Sequence, residues 1–262
     1  MSSTSFPAGR FRPDPGAARP ARQVGAATRL ELRLLIRNGE QLLLALVIPI
    51  AVLIGLRAVR LVTLPEPRIA SIVPGVLALA ALSSCFTSQA ITTAFDRRYG
   101  VLKRLAVAGM SRPLLLAAKV ATALLVLAGQ VIILSGLAVA LGWRPAPGAN
   151  GVLTAVLLLV LGAGALVGLA LLLGGTLRAE AVLAVANLAW LLLAGLGGVV
   201  VPLSQAPGWL SVLGGLTPVG ALSNGLRDVL TGSHPWPVGP LLVLLGWILI
   251  GWGGTVRWFK WL

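Results

Sequence analysis

Residues 152–173 read VLTAVLLLVLGAGALVGLALLL and contain no charged side chain. A run of about 20 apolar residues is the length at which an α-helix crosses the hydrocarbon core of a bilayer. Five further apolar runs have similar character, at about 41–56, 69–95, 120–141, 181–201 and 240–256. The pattern therefore predicts an all-α, polytopic membrane protein with six transmembrane helices.

The composition of the whole chain agrees with this prediction. Hydrophobic residues make up 57% of the 262 residues and charged residues only 11%. A soluble domain is usually about 45–50% apolar and about 25% charged. A chain with so few charged residues could not form the polar surface of a soluble domain. Part of its surface must therefore contact lipid. The single cysteine, Cys85, excludes a disulfide within the chain.

Basic residues indicate the orientation of the spans. With the N-terminus inside, 16 basic residues fall on the cytoplasmic side and 5 on the outer side. Cytoplasmic loops of membrane proteins carry an excess of Lys and Arg, so we expect both termini to be cytoplasmic. Arginine supplies 18 of the 21 basic residues, a bias typical of GC-rich bacterial genomes. We therefore expect a multi-pass protein of the bacterial cell (inner) membrane.

The region before the first span divides into two parts. Residues 1–22 are rich in Pro, Arg, Gly and Ala, which predicts a disordered cytoplasmic tail. Residues 23–40 carry Arg29, Arg33 and Arg37 at a spacing of four, so the three share one side of a helix. We predict an amphipathic interface helix at 23–40. A simple cytoplasmic extension of the first span is the alternative.

The second span has a polar half. Its hydroxyl and amide side chains avoid lipid and face other helices or a transport pathway. We single out four of them as possible pathway lining: Thr87, Ser88, Gln89 and Thr92. Packing against other spans is the alternative. The fourth span has a small face at Gly162, Gly164 and Gly168, which suits either internal helix packing or a dimer seam.

The sequence lacks the residue patterns that nucleotide binding, metal binding and catalysis require. No G-x-x-x-x-G-K-[ST] phosphate loop occurs. The single histidine, His234, cannot form a histidine-rich metal site, and none of the seven carboxylates lies deep within a predicted span. We therefore predict no catalytic, cofactor or metal site, and no enzyme activity. The energy for transport comes from elsewhere, or transport is passive.

The connection after the second span is the most informative stretch. Residues 96–105 read DRRYGVLKRL, followed by Ser111-Arg112 and a leucine-rich run ending at Lys119. Apolar and basic residues alternate as in a short amphipathic helix, which could dock in the cleft of another protein. An inert basic loop is the alternative.

This stretch resembles the permease subunits of type-2 ABC exporters, which carry acidic-basic-x-x-Gly-x-Leu-x-x-Leu at this point. The resemblance extends from about residue 23 and includes PLSQAPGWL at 202–210. It implies a permease domain at 23–262, a coupling helix at 96–108 and an outer re-entrant region at 202–239. The residues it assigns to ATPase coupling are Arg97, Arg98, Tyr99, Gly100, Val101, Leu102, Lys103, Arg104 and Leu105.

The resemblance also implies partners. They are a separate ABC ATPase subunit, which binds ATP and Mg, and a second permease copy in a homodimer or close heterodimer. Nucleic acid is not among them. The resemblance is nearest to the drug and antibiotic efflux branch, and few charges lie in the spans. We expect an amphipathic or lipophilic substrate: a drug, an antibiotic or a lipid. A polysaccharide or other polymer, a passive channel and a scaffold are the alternatives.

Overall fold

The computed structural model describes residues 18–37, 39–58, 66–145 and 148–259; the side chains of 39–44 lie outside this description. Every regular element in these ranges is helical. The α-helices are α1 Pro20–Arg37, α2 Gly39–Ala58, α3 Arg68–Ala81, α4 Ser88–Arg98, α5 Val101–Val107, α6 Arg112–Ala140, α7 Ala149–Thr176, α8 Ala179–Leu196, α9 Gly208–Gly215, α10 Pro218–Leu230 and α11 Val238–Trp258. Most of the predicted tail lies outside the described residues.

The helices confirm an all-α polytopic membrane protein. Five helical stretches are long and apolar enough to cross a bilayer: Arg68–Arg98, Arg112–Ala140, Ala149–Thr176, Ala179–Leu196 and Val238–Trp258. The shorter apolar helix Ala45–Ala58 is the sixth. The six predicted spans therefore all correspond to helices.

Two span boundaries differ from the sequence prediction by five residues or more. The third span begins at Arg112 rather than near 120, because Pro113 occupies the first turn, where its missing N–H costs nothing. The fifth span ends at Leu196 rather than 201. Gly198 has a φ of 64°, a left-handed conformation that turns the chain out of the helix.

A π-helical segment, Leu82–Thr87, joins α3 and α4 into one continuous span. Two hydroxyl groups bond back to the preceding turn: Ser83 donates to the carbonyl of Leu79 at 3.0 Å and Ser84 to that of Ala80 at 2.8 Å. Trp190 of α8 donates to the Ser83 hydroxyl at 3.0 Å. The hydroxyl groups of Ser83 and Ser84 are thereby satisfied at the point where the helix widens, whereas that of Thr87 has no partner in the described part of the chain.

The glycine face of α7 packs inside the chain. A Cβ added at Gly162 would meet Leu222 of α10, and one at Gly168 would meet Trp252 of α11. Thr255 donates to the carbonyl of Gly168 at 2.9 Å. Small residues let helices approach closely. Of the two alternatives for this face, the structure therefore supports internal packing.

The region after α8 contains a 3₁₀ turn, Leu203–Gln205, and the short helices α9 and α10. Thr217 caps α10 by accepting from the N–H of Gly220 at 3.0 Å. Arg227 donates to the carbonyl of Gly198 at 3.1 Å, which ties α10 to the end of the fifth span. The outer, re-entrant placement implied for 202–239 stays a prediction.

The predicted orientation places His234, in the loop after α10, outside the cell and α5 inside. His234 is exposed, and Val107 is 90% exposed. We expect a membrane-impermeant maleimide to label the His234→Cys variant on intact cells. The Val107→Cys variant should be labelled only in inside-out vesicles, and the native Cys85, which is 0% exposed, should stay unlabelled. The reverse pattern would invert the topology.

Candidate functional site

The short helix α5 is fixed to the ends of two spans. It begins after Gly100, whose φ of 71° is in the left-handed region that favours glycine. Leu102 is 1% exposed and packs with Leu115 of α6 and with Phe259, which follows α11. One face of α5 is therefore anchored in the helix bundle.

Two arginines join the end of the second span to the turn between α7 and α8. The Arg97 guanidinium donates to the carbonyl oxygen of Leu177, and Arg98 forms an ion pair with Glu180. The Arg98 pair is on the surface, with half of the arginine side chain exposed. A surface pair of this kind adds little stability, but it defines which turn lies beside α5.

The nine residues assigned to ATPase coupling divide by exposure. Leu102 is buried in the bundle, whereas Arg97 and Arg98 bond to other parts of the chain. Those most open to a partner are Tyr99, Lys103 and Arg104. Partly buried are Gly100, Val101 and Leu105. Val107, absent from the predicted set, is the most exposed apolar residue of α5. Their role in coupling stays a prediction.

A buried ion-pair cluster lies beside this segment. Lys119 of α6 is 1% exposed, and its Nζ lies 2.8 Å from a carboxylate oxygen of Glu31 in α1 and 2.8 Å from one of Asp96 in α4. A buried ammonium is costly unless it is paired and hydrogen-bonded. The cluster therefore holds three helices in one arrangement.

Sequence reasoning missed this cluster. Lys119 was noted only as the end of the leucine-rich run, and Asp96 only as the acidic residue that opens the coupling motif. The partners lie 88 and 23 residues from Lys119, so no local spacing links them. A lysine at the start of an apolar span was the one available signal, since an intramembrane charge calls for a counter-charge.

The helix α1 has the predicted amphipathic character. Its three predicted arginines are exposed: Arg29, Arg33 and Arg37. Leu30 and Leu34 are also exposed, at 53% and 59%, which suits contact with lipid. Glu31 lies on the opposite side, facing Lys119. The helix begins at Pro20 and ends at Arg37, whereas the sequence predicts it at 23–40.

The inner cavity lies between α1, α4 and α6 and has a volume of about 140 Å³. Its lining residues are Glu31, Leu34, Leu35, Ser88, Gln89, Thr92, Asp96 and Thr122. Three of the four predicted pathway residues are among them. Gln89 is 4% exposed, and its Oε1 accepts no hydrogen bond.

The middle cavity lies between α2, α4 and α8 and has a volume of about 370 Å³. Its lining residues are Ala45, Ile48, Ser83, Thr87, Ser88, Ile91, Asn187 and Trp190. Ser88 lines both cavities, so they are neighbours along one face of α4. Glu31 and Asn187 are polar lining residues that the sequence analysis did not select. They lie on other helices, and only the fold brings them to α4.

Comparison with known families gives one match. A family model described as ABC-2 type transporter matches residues 22–231, a range from α1 through α10. No curated protein gave a significant match to the chain.

We expect the Lys119→Met variant to be destabilised by about 3–5 kcal/mol, because it leaves two carboxylates without their counter-charge. The loss is measured as a lower unfolding temperature in detergent. Arg98→Gln is the control, since its pair is largely exposed and should cost less than about 1 kcal/mol. Equal stability of the Lys119→Met and Arg98→Gln variants would contradict a structural role for the cluster.

Proposed function

Because the chain belongs to the ABC-2 type transporter family, we propose that this permease subunit forms the path of an ATP-driven exporter for an amphipathic or lipophilic substrate. The observation that carries the proposal is the position of α5. It is exposed at Lys103 and Arg104, yet it is fastened through Leu102 to the helix bundle. A rigidly mounted, exposed element is what a motor subunit needs to move the spans.

The energy source in this proposal is a separate ABC ATPase subunit. The sequence has no phosphate loop of its own. The partner would bind ATP and Mg, and α5 would dock in a cleft of that partner. Lys103 and Arg104 are exposed there and supply positive charge, so the docking cleft is expected to be acidic at its rim.

The route of coupling follows the contacts of α5. Movement of α5 is passed to α6 and the chain after α11 through Leu102, and to the turn between α7 and α8 through Arg97 and Arg98. Lys119 carries the movement of α6 to α1. ATP binding then shifts the population from one arrangement of spans to another.

The pathway in this proposal follows the polar face of α4. The inner and middle cavities meet at Ser88, and both contain hydroxyl or amide groups together with apolar side chains. Mixed linings of this kind suit an amphipathic substrate. A polymer of sugars would favour stacking surfaces, for which one Tyr and five Phe offer little material.

We further propose that two copies of the chain work together. Few residues of α8 are buried in the bundle. Its exposed leucines include Leu188, Leu191 and Leu192, with exposed fractions of 57%, 63% and 53%. The middle cavity lies on the same side of the bundle, lined partly by Trp190 and Asn187 of α8. A second copy against α8 would close the cavity and surround a path with both copies of α4.

The first test concerns the coupling segment. We expect Gly100→Asp and Leu105→Asp to uncouple ATP hydrolysis from export, lowering export about ten-fold or more, a barrier change of about 1.4 kcal/mol. The aspartate strains the left-handed position in one variant and enters the apolar base of α5 in the other. Both variants should still reach the membrane, as judged by fractionation.

Gly142→Asp is the matched control for the Gly100 variant. Like Gly100, Gly142 has a left-handed backbone, with a φ of 96°, and no heavy atom within 4 Å of an added Cβ, but it follows the third span at its predicted outer end. Its export should stay near that of the wild type. Unchanged export in both coupling variants would count against the role of α5.

The second test concerns the motor. The full-length chain should co-purify with an ATPase subunit that carries the G-x-x-x-x-G-K-[ST] loop, and export in vesicles should require both chains and ATP. A passive channel or a scaffold would bind no such subunit. Uphill transport by the isolated chain, reconstituted without a partner, would end the proposal.

A further inference from the structure

The inner cavity carries an unbalanced negative charge. Glu31 and Asp96 bring two carboxylates, and Lys119 is the only cation within ion-pair distance of either among the described residues. The two carboxylate side chains are 21% and 26% exposed, whereas the ammonium is 1% exposed. The cluster therefore has a net charge of −1 and keeps its anionic groups on the accessible side.

The carboxylates also have spare hydrogen-bonding capacity. An ionised carboxylate offers about four lone-pair sites. Each of these two has one described bond, to the Nζ of Lys119. Most of their acceptor sites have no donor among the described residues, and a donor with a positive charge gains most from such sites.

Gln89 provides an independent observation. Its side chain lines the same cavity and is 4% exposed, and its Oε1 has no hydrogen-bond partner. Leaving a buried carbonyl oxygen without a donor is costly, so such groups call for an explanation. A ligand that brings N–H groups would satisfy this oxygen as well as the carboxylates.

The size and the apolar part of the lining restrict the ligand. A volume of about 140 Å³ is room for far more than one water, which needs about 10–15 Å³ on this measure. Leu34 and Leu35 stand beside the oxygen groups. A hard metal ion is coordinated by oxygen ligands on all sides, which a cavity lined partly by leucines does not provide. An alkylammonium group instead presents N–H to the oxygens and methylene groups to the leucines.

We propose that the inner cavity binds the protonated amine of an amphipathic cargo. Glu31, Asp96 and Gln89 accept its N–H groups, and Leu34 and Leu35 contact the adjoining carbon chain. The assignment of this ligand as cargo rests on the proposed function. On that basis the exporter selects cationic amphiphiles, which bind near the inner end of α4 and pass Ser88 into the middle cavity.

The experiment measures binding to the full-length chain in phosphatidylcholine nanodiscs, without the ATPase. Dansylcadaverine, a fluorescent primary amine, is the probe, and its N-acetyl derivative is the uncharged analogue. We expect the amine to bind about ten-fold more tightly than the acetylated probe, as one charge-assisted hydrogen bond predicts. Phosphatidylcholine has no net charge, so the lipid does not concentrate the amine.

Variants of Gln89 test the site itself. Gln89→Leu should weaken binding of the amine about ten-fold, and Gln89→Glu should strengthen it, while neither changes binding of the acetylated probe. Gln130→Leu is the matched control. Gln130 is equally buried, at 5% exposed, and its Oε1 likewise has no hydrogen-bond partner among the described residues, but its Nε2 donates to the carbonyl of Ala45 and it does not line the inner cavity. Its amine binding should equal that of the wild type.

The inference would be overturned if the two probes bound with equal affinity, or if neither Gln89 variant changed the affinity for the amine. It would also be overturned if Gln130→Leu weakened amine binding as much as Gln89→Leu does. Displacement of the amine by Na⁺ but not by K⁺, at one ionic strength, would assign the cavity to a metal ion and overturn it too. Because the assay contains no ATPase, failure here leaves the coupling tests intact, and failure there leaves amine binding intact.

Discussion

The buried ammonium of Lys119 is the constraint on which the end of the bundle that carries α5 depends. A charge with 1% exposure cannot be left without a partner, and two carboxylates at 2.8 Å supply it. Those carboxylates come from α1 and α4. One lysine therefore decides where the interface helix lies and how the second and third spans meet. Removing one charged side chain of this cluster is costly, because it changes the balance of buried charges and leaves a charge without its partner.

The position of α5 depends on this arrangement. Because α4 and α6 are held together at Asp96 and Lys119, the chain between them has to return within a short distance. Gly100 makes the reversal possible with its left-handed backbone, and Leu102 buries itself between the ends of two spans. What remains outside is a small basic surface at Lys103 and Arg104. The helix α5 is therefore fixed to the bundle on one face and exposed on the other.

The polar half of the second span shows how the bundle accommodates hydrophilic groups in a membrane. Ser83 and Ser84 bond to the preceding turn. Thr87 and Gln89 line the two cavities and Thr93 lines neither, yet each retains an oxygen atom without a hydrogen-bond partner among the described residues. Such atoms are costly where water is scarce. They occur both beside the cavities and in packed contacts, so the role of this face as a pathway stays a prediction.

The sequence by itself determined the helical class, the six spans and the amphipathic character of α1, since these follow from hydropathy and spacing along one segment. It also locates the basic stretch 96–105, because that pattern is local, but the role of this stretch in coupling stays a prediction. Only the tertiary structure decided the ion pairs of Lys119, the meeting of Arg97 with Leu177 and the internal packing of the α7 glycines. These contacts join residues far apart in the chain. Hydropathy says that a helix lies in the membrane, but not which neighbour each of its faces meets.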